Sequence, residues 1–169
     1  MRARRSSRAA IWQLPVLFVA ASDAPQSQID GADYQCDGTA DDVQIQAAID
    51  ALPDEGGTVL LSDGNFNLAA TINLTVMGTS LRGAITSQAA SAGGEVAQGG
   101  TQLTFQPTDS SHAINMGGDD LERRSISLQD VFIICDKAGG HTGDGVYVEG
   151  VTWTADMLRN VVVVNAGND

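Results

Sequence analysis

Two stretches thirty residues apart carry one pattern. "SLQDVFIIC" (127–135) and "DMLRNVVVVN" (156–165) align with Leu128 over Leu158, Asp130 over Asn160 and the apolar run 131–134 over 161–164. The segments that precede them, "AINMGG" (113–118) and "GVYVEG" (145–150), align at an offset of 32. A unit of about 30 residues holding two short strands cannot bury its apolar face alone, so such units stack and cover one another. The continuous apolar run at 161–164 suits a strand buried in a parallel sheet. The repeat therefore predicts a stacked β-solenoid.

Composition agrees. The chain has 169 residues, of which 43% are hydrophobic, enough for one sizeable core. Aromatic residues make up only 5% and glycine reaches 19, which suits many short strands and tight turns rather than a helical bundle. Period-2 patterns predict strands around Val59 to Leu61, Phe66 to Leu68 and Ile72 to Leu74, with Asp63-Gly64 turning the chain between the first two. "TSLRG" and "TQLTF" read as further strands. Between them, residues 84–100 are rich in Ala, Gly, Ser and Gln and read as a surface loop.

One stretch breaks the β pattern. "CDGTADDVQIQAAIDAL" (36–52) is acidic and then periodic. Read as a calcium loop starting at Asp33, it has Asp37 and Gly38 where the ion needs them, but Gln35 and Gln44 replace required carboxylates. Read as a helix it is consistent. Ile45, Ala48, Ile49 and Leu52 form one apolar stripe, Asp41 with Gln44 has the form of a capping box, and Pro53, Gly56 and Gly57 end the helix. The acidic residues then serve the helix start, and Gln46 is expected to face solvent.

Four of the nine basic residues lie in the first eight positions, so residues 9–169 carry five basic against 21 acidic residues, a formal balance of −16. No basic stripe is available for nucleic acid. A polyanionic sugar would also be repelled unless a metal or a local arginine cluster reversed the field. Cys36 and Cys135 are too few and too far apart for a disulfide framework or a zinc site, and read as buried free thiols. Residues 1–13 form a basic leader with two readings: the start of a secretory signal running through "VLFVAAS", or a disordered segment ahead of a first strand. No stretch is long enough to span a bilayer. The chain ends just past its most apolar strand, so residues 14–169 are expected to be the N-terminal portion of one domain truncated at its C-terminus.

Residues 32–74, "ADYQCDGTADDVQIQAAIDALPDEGGTVLLSDGNFNLAATINL", resemble the N-terminal signature of the pectate-lyase-like superfamily, with "SLRGA" (80–84) similar to the motif that follows it. The resemblance is specific over about residues 31–83. It implies an all-β fold, a right-handed parallel β-helix (solenoid) with an N-terminal capping α-helix. It also implies a polysaccharide-active protein of lyase or glycoside hydrolase type acting on an extracellular polysaccharide, in an extracellular or virion-associated setting. The alternative within the same superfamily is a non-catalytic structural or receptor-binding β-helix such as a phage tailspike or fibre shaft, which would be a homotrimer. The signature is structural, so it carries over no catalytic residue.

The chemistry must be sought in the residues. Glycoside hydrolysis needs two carboxyl groups on one face, about 5–5.5 Å apart for retention or about 6.5–9.5 Å for inversion. Asp130, Asp136, Asp144 and Glu149 fall in the repeat region, and "DKAGGHTGD" (136–144) brings Asp136 and Asp144 together with His141 and Lys137. The same stretch also reads as a solvated turn. A lyase would use Ca²⁺ and a strong base, often an arginine in similar enzymes, and Arg82, Arg123, Arg124 and Arg159 are present outside any motif. "GGDDLERR" (117–124) offers Asp119, Asp120 and Glu122 to a metal, or is a self-neutralising loop.

Overall fold

The computed structural model describes residues 14–84, 100–106, 109–117, 125–135, 142–149 and 158–164. Among them are two short helices, α1 (Gln26–Asp30) and α2 (Asp42–Asp50), and eleven strands, so the protein is mostly β. Every paired strand runs parallel to its neighbour. None of the described helices is long and apolar enough to cross a membrane.

The strands form three stacks. The first holds β1 (Val16–Ala20), flanked by the two-residue β2 (Tyr34–Gln35), then β3 (Gly57–Leu61), β6 (Thr79–Arg82) and the start of β9 (Ser127–Cys135). The second holds β4 (Gly64–Leu68), β7 (Thr101–Phe105) and the end of β9. In the third stack, β5 (Ile72–Leu74), β8 (Ile114–Gly117) and β10 (Val146–Glu149) lie side by side. β11 (Leu158–Val164) pairs along the length of β9, with Leu158 opposite Leu128 and Val161 opposite Val131, the alignment expected from the repeat. The chain visits the stacks in a fixed order, level after level. Asp63-Gly64 turns it as expected, yet β3 and β4 do not pair as a hairpin; each bonds to the next level instead.

Because the register is kept, inward side chains line up across levels. Val59, Leu81 and Leu128 form one ladder, Phe66, Leu103 and Ile133 a second, and Ile72 and Ile114 a third, all completely buried. Each such side chain contributes about 1.5–3 kcal/mol of burial, so the ladders are the main source of stability.

The first two stacks belong to one curled sheet, and the curl has a local cause. Between the two halves of β9, Asp130 has φ 55°, and at the same place in β11 Asn160 has φ 50°. Asp and Asn are the residues that best tolerate this left-handed backbone, and one such residue turns the strand through a corner. At the level below, Gly83 approaches so closely that a Cβ there would lie 2.2 Å from the Asp130 carbonyl oxygen. The Asp130 carboxylate is held at the corner: Asn160 Nδ2 donates to Oδ1 at 2.8 Å and Arg82 Nε to Oδ2 at 3.0 Å. The Asn160 hydrogen bond, reinforced by the guanidinium of Arg82, holds its pKa below the ordinary 3.8 in spite of burial.

Helix α2 covers the first level, packing on β1, β3, β4 and β5. Its predicted stripe is buried, Ile45 and Ala48 at 0% exposure, Ile49 at 1% and Leu52 at 7%. The capping box does not form. Asp41 is completely buried, but its carboxylate accepts from the Gly38 N–H at 2.9 Å and the Asn67 N–H at 2.8 Å, outside the helix. Gln44 Oε1 is buried without a hydrogen-bond partner in the described structure. Asp42 likewise accepts from the Ala69 N–H at 2.7 Å. Gln46 also departs from expectation: its Oε1 accepts from the Asn73 N–H at 2.9 Å, so it ties α2 to β5 rather than facing water. Both cysteines are free and buried. Burial, with the Asp41 carboxylate adding to it, pushes the Cys36 thiol up to about 12, and burial pushes Cys135 up to about 11.

Two measurements check this account. Ile49→Ala is expected to lower the free energy of unfolding by about 2–5 kcal/mol and Gln46→Ala by about 1–2 kcal/mol, whereas Val43→Ala, on the exposed side of α2, changes it by less than ~0.5 kcal/mol. Equal effects in a denaturant titration would mean that α2 covers nothing. For the corner, Asp130→Asn keeps the shape and removes the charge. Since the folded pKa lies below 3.8, ionised Asp130 contributes stability that is complete above that value and is lost as pH falls through the folded pKa. The variant is therefore expected to be less stable than the wild type at neutral pH, with the difference closing as pH is lowered below 3.8. A pH-independent difference would rule out the ion pair as its cause.

Candidate functional site

On a strand covered on one face, every second side chain points outward, and parallel register then sets outward residues of successive levels side by side. In the third stack Ile72, Leu74, Ile114 and Met116 point in and are buried, leaving Asn73, Asn115 and Tyr147 in line on the outer face. Asn115 Nδ2 donates to Asn73 Oδ1 at 3.1 Å, and Gln46 fixes Asn73 from the other side. The row is thus preorganised by its own hydrogen bonds.

Tyr147 is completed from the adjoining loop. The ring of His112 stacks on it, centroids 4.3 Å apart and planes 9° from parallel. The Asp144 backbone N–H donates to His112 Nδ1 at 3.0 Å, and Asp144 Oδ2 lies 3.3 Å from the same nitrogen. With Nδ1 accepting, neutral His112 carries its proton on Nε2 and can offer it as a donor. The arrangement is a flat aromatic surface with a donor, an acceptor pair of amides and one carboxylate, all half-buried.

Of the residues singled out from sequence, Asp144 belongs to this site. Asp136 and His141 lie outside the described residues, as do Asp119, Asp120 and Glu122; Glu149 ends β10, and only its backbone is described. Asp130 is elsewhere, at the corner between the first two stacks, and is engaged by Asn160 and Arg82. Among the described residues no group of three His, Cys, Asp or Glu side chains is placed to hold a metal ion. His112 and Tyr147 were not identified from sequence. The signal was there: the 32-residue offset that aligns Ile114 with Val146 also aligns His112 with Asp144 and Asn115 with Tyr147.

The acidic residues near the N-terminal end have another use. Asp33 Oδ2 accepts from the Phe18 N–H at 2.8 Å and Asp23 Oδ1 from the Asn65 N–H at 2.9 Å, as Asp41 and Asp42 do for Asn67 and Ala69. They join segments of backbone that no strand partner serves.

Compared with known proteins, the chain matches no family model, no curated protein and no solved structure. The architecture is therefore defined by its own strand register, and the resemblance of residues 31–83 to the pectate-lyase-like superfamily rests on those residues alone.

Proposed function

We propose that the protein is a right-handed parallel β-helix of the pectate-lyase-like kind that recognises a polysaccharide along the outer face of its third stack. The handedness follows from the near-universal hand of parallel β connections, here repeated from level to level. The observation that carries the functional reading is the row Asn73, Asn115 and Tyr147, with His112 stacked on the tyrosine. Sugars present hydroxyls around the ring edge and C–H groups on its faces. Amide groups pair with the first and an aromatic plane with the second. The row follows the stacking direction, so a linear polymer could lie across successive levels, about 4.8 Å apart.

Chemistry of lyase or glycoside hydrolase type would draw on Asp144 beside His112, and a lyase would add Ca²⁺. A polysaccharide of this kind would be met outside the cell or at a virion surface.

The test is a binding and turnover panel of neutral and acidic glycans, with added Ca²⁺ and with chelator. Tyr147→Ala and Asn115→Ala are each expected to weaken binding of the preferred glycan about tenfold, equivalent to ~1.4 kcal/mol, without loss of fold. Asp144→Asn is expected to abolish any turnover while leaving binding within about threefold. Binding without turnover in the wild type would favour the structural or receptor-binding alternative. Failure to bind any glycan, or unchanged affinity in both binding variants, would overturn the reading.

A further inference from the structure

A different outer face is chemically unlike the amide row. On the first stack the outward residues in register are Phe18, Leu60, Arg82, Gln129 and Arg159. The first three border a groove of about 440 Å³ that is also lined by Gln28 of α1, Asp63 and Gly83. That size is ample for a small molecule.

The groove is built rather than incidental. Gln28 and Asp63, 35 residues apart, are joined twice: Gln28 Nε2 donates to Asp63 Oδ2 at 3.0 Å, and the Asp63 N–H donates to Gln28 Oε1 at 3.1 Å. Arg82, which lines the same groove, is oriented by the bond from its Nε to Asp130, and its side chain is 48% exposed. Phe18 and Leu60, in register on the same face, give the groove its apolar surface. Moreover, Arg82 and Arg159, the two arginines among the described residues, stand on this one face, both within ion-pair distance of Asp130, although 21 acidic residues dominate the chain.

We infer that this groove binds a small zwitterion with an apolar body, the class of the apolar α-amino acids, with its carboxylate on Arg82, its ammonium group on Asp63 and its side chain on Phe18 and Leu60. Arginine presents a planar fork that matches a carboxylate, and a carboxylate matches an ammonium donor. A ligand with only one of the two charges would leave either Asp63 or Arg82 unmatched, which disfavours simple anions and simple cations alike. The inference is independent of polysaccharide recognition on the third stack.

The experiment titrates the protein with phenylalanine, N-acetylphenylalanine, phenylalanine amide and methyl glucoside, followed by calorimetry or by NMR shifts. Phenylalanine is expected to bind saturably, with each of the singly charged analogues about tenfold weaker or more and the glucoside not bound. Arg82→Gln is expected to abolish the advantage of phenylalanine over its amide, and Asp63→Asn its advantage over the N-acetyl form. Because Arg82→Gln also releases Asp130, its melting temperature is read alongside, and Asp63→Asn, which can still accept from Gln28, gives the same test without touching the corner. Equal binding of all three phenylalanine derivatives, preferential binding of the glucoside, or no saturable binding of phenylalanine would each overturn the assignment.

Discussion

The structure depends on parallel register. Among the described residues no strand has an antiparallel hairpin partner, so the backbone N–H and C=O groups of the ladder are met by the strand one level above or below. Register and core are then a single constraint. A slip of β9 by one residue against β6 would turn Leu128 outward and bring Gln129 into the interior beside Leu81. The two αL residues, Asp130 and Asn160, bear on the same constraint from the side, because they bend β9 and β11 at one position and keep the corner aligned through the hydrogen bond between them.

Where the regular ladder stops, side chains take over. Between β1 and β3 the chain forms only the short strand β2, and its backbone and that of neighbouring strands is served by Asp23, Asp33, Asp41 and Asp42. A carboxylate accepts a backbone N–H more strongly than a neutral group does, and it reaches across gaps that no strand spans. Gln46 performs the same service between α2 and β5. The first level is therefore fastened by polar bonds around its rim and by the apolar face of α2 over its interior.

This division explains what the sequence revealed. The 30-residue repeat is visible in Leu128 and Leu158 because nothing is inserted between those levels, and the observed pairing matches it residue for residue. Between β6 and β7 the chain instead runs through residues 84–100, so the partnership of Thr101 with Val131 and of Ser80 with Ser127 cannot be found at one fixed spacing. The stripe of α2 was legible since a helix face is a local pattern. The partners of Asp41 were not, because a buried carboxylate 26 residues away from Asn67 looks in sequence like any acid beside a helix start. The same holds for the candidate site. Asp144 stood out by its composition-rich turn, whereas His112 required the register of β8 and β10 to be taken seriously as a guide to loops as well as strands.

The placement of charge also changes what net charge can be taken to mean. A balance of −16 outside the leader suggested a body that repels anionic polymers. Yet four of those acidic side chains are bound to backbone N–H groups at the N-terminal end, and Asp130 is matched by Arg82. The row of Asn73, Asn115 and Tyr147 is neutral, with the carboxylate of Asp144 beside His112. At physiological salt, fields between exposed charges decay over about 8 Å, so a ligand on one stack responds chiefly to the side chains of that face. Recognition on this scaffold is a property of each outer row, and the formal charge of the chain is a property of how its first level is tied together.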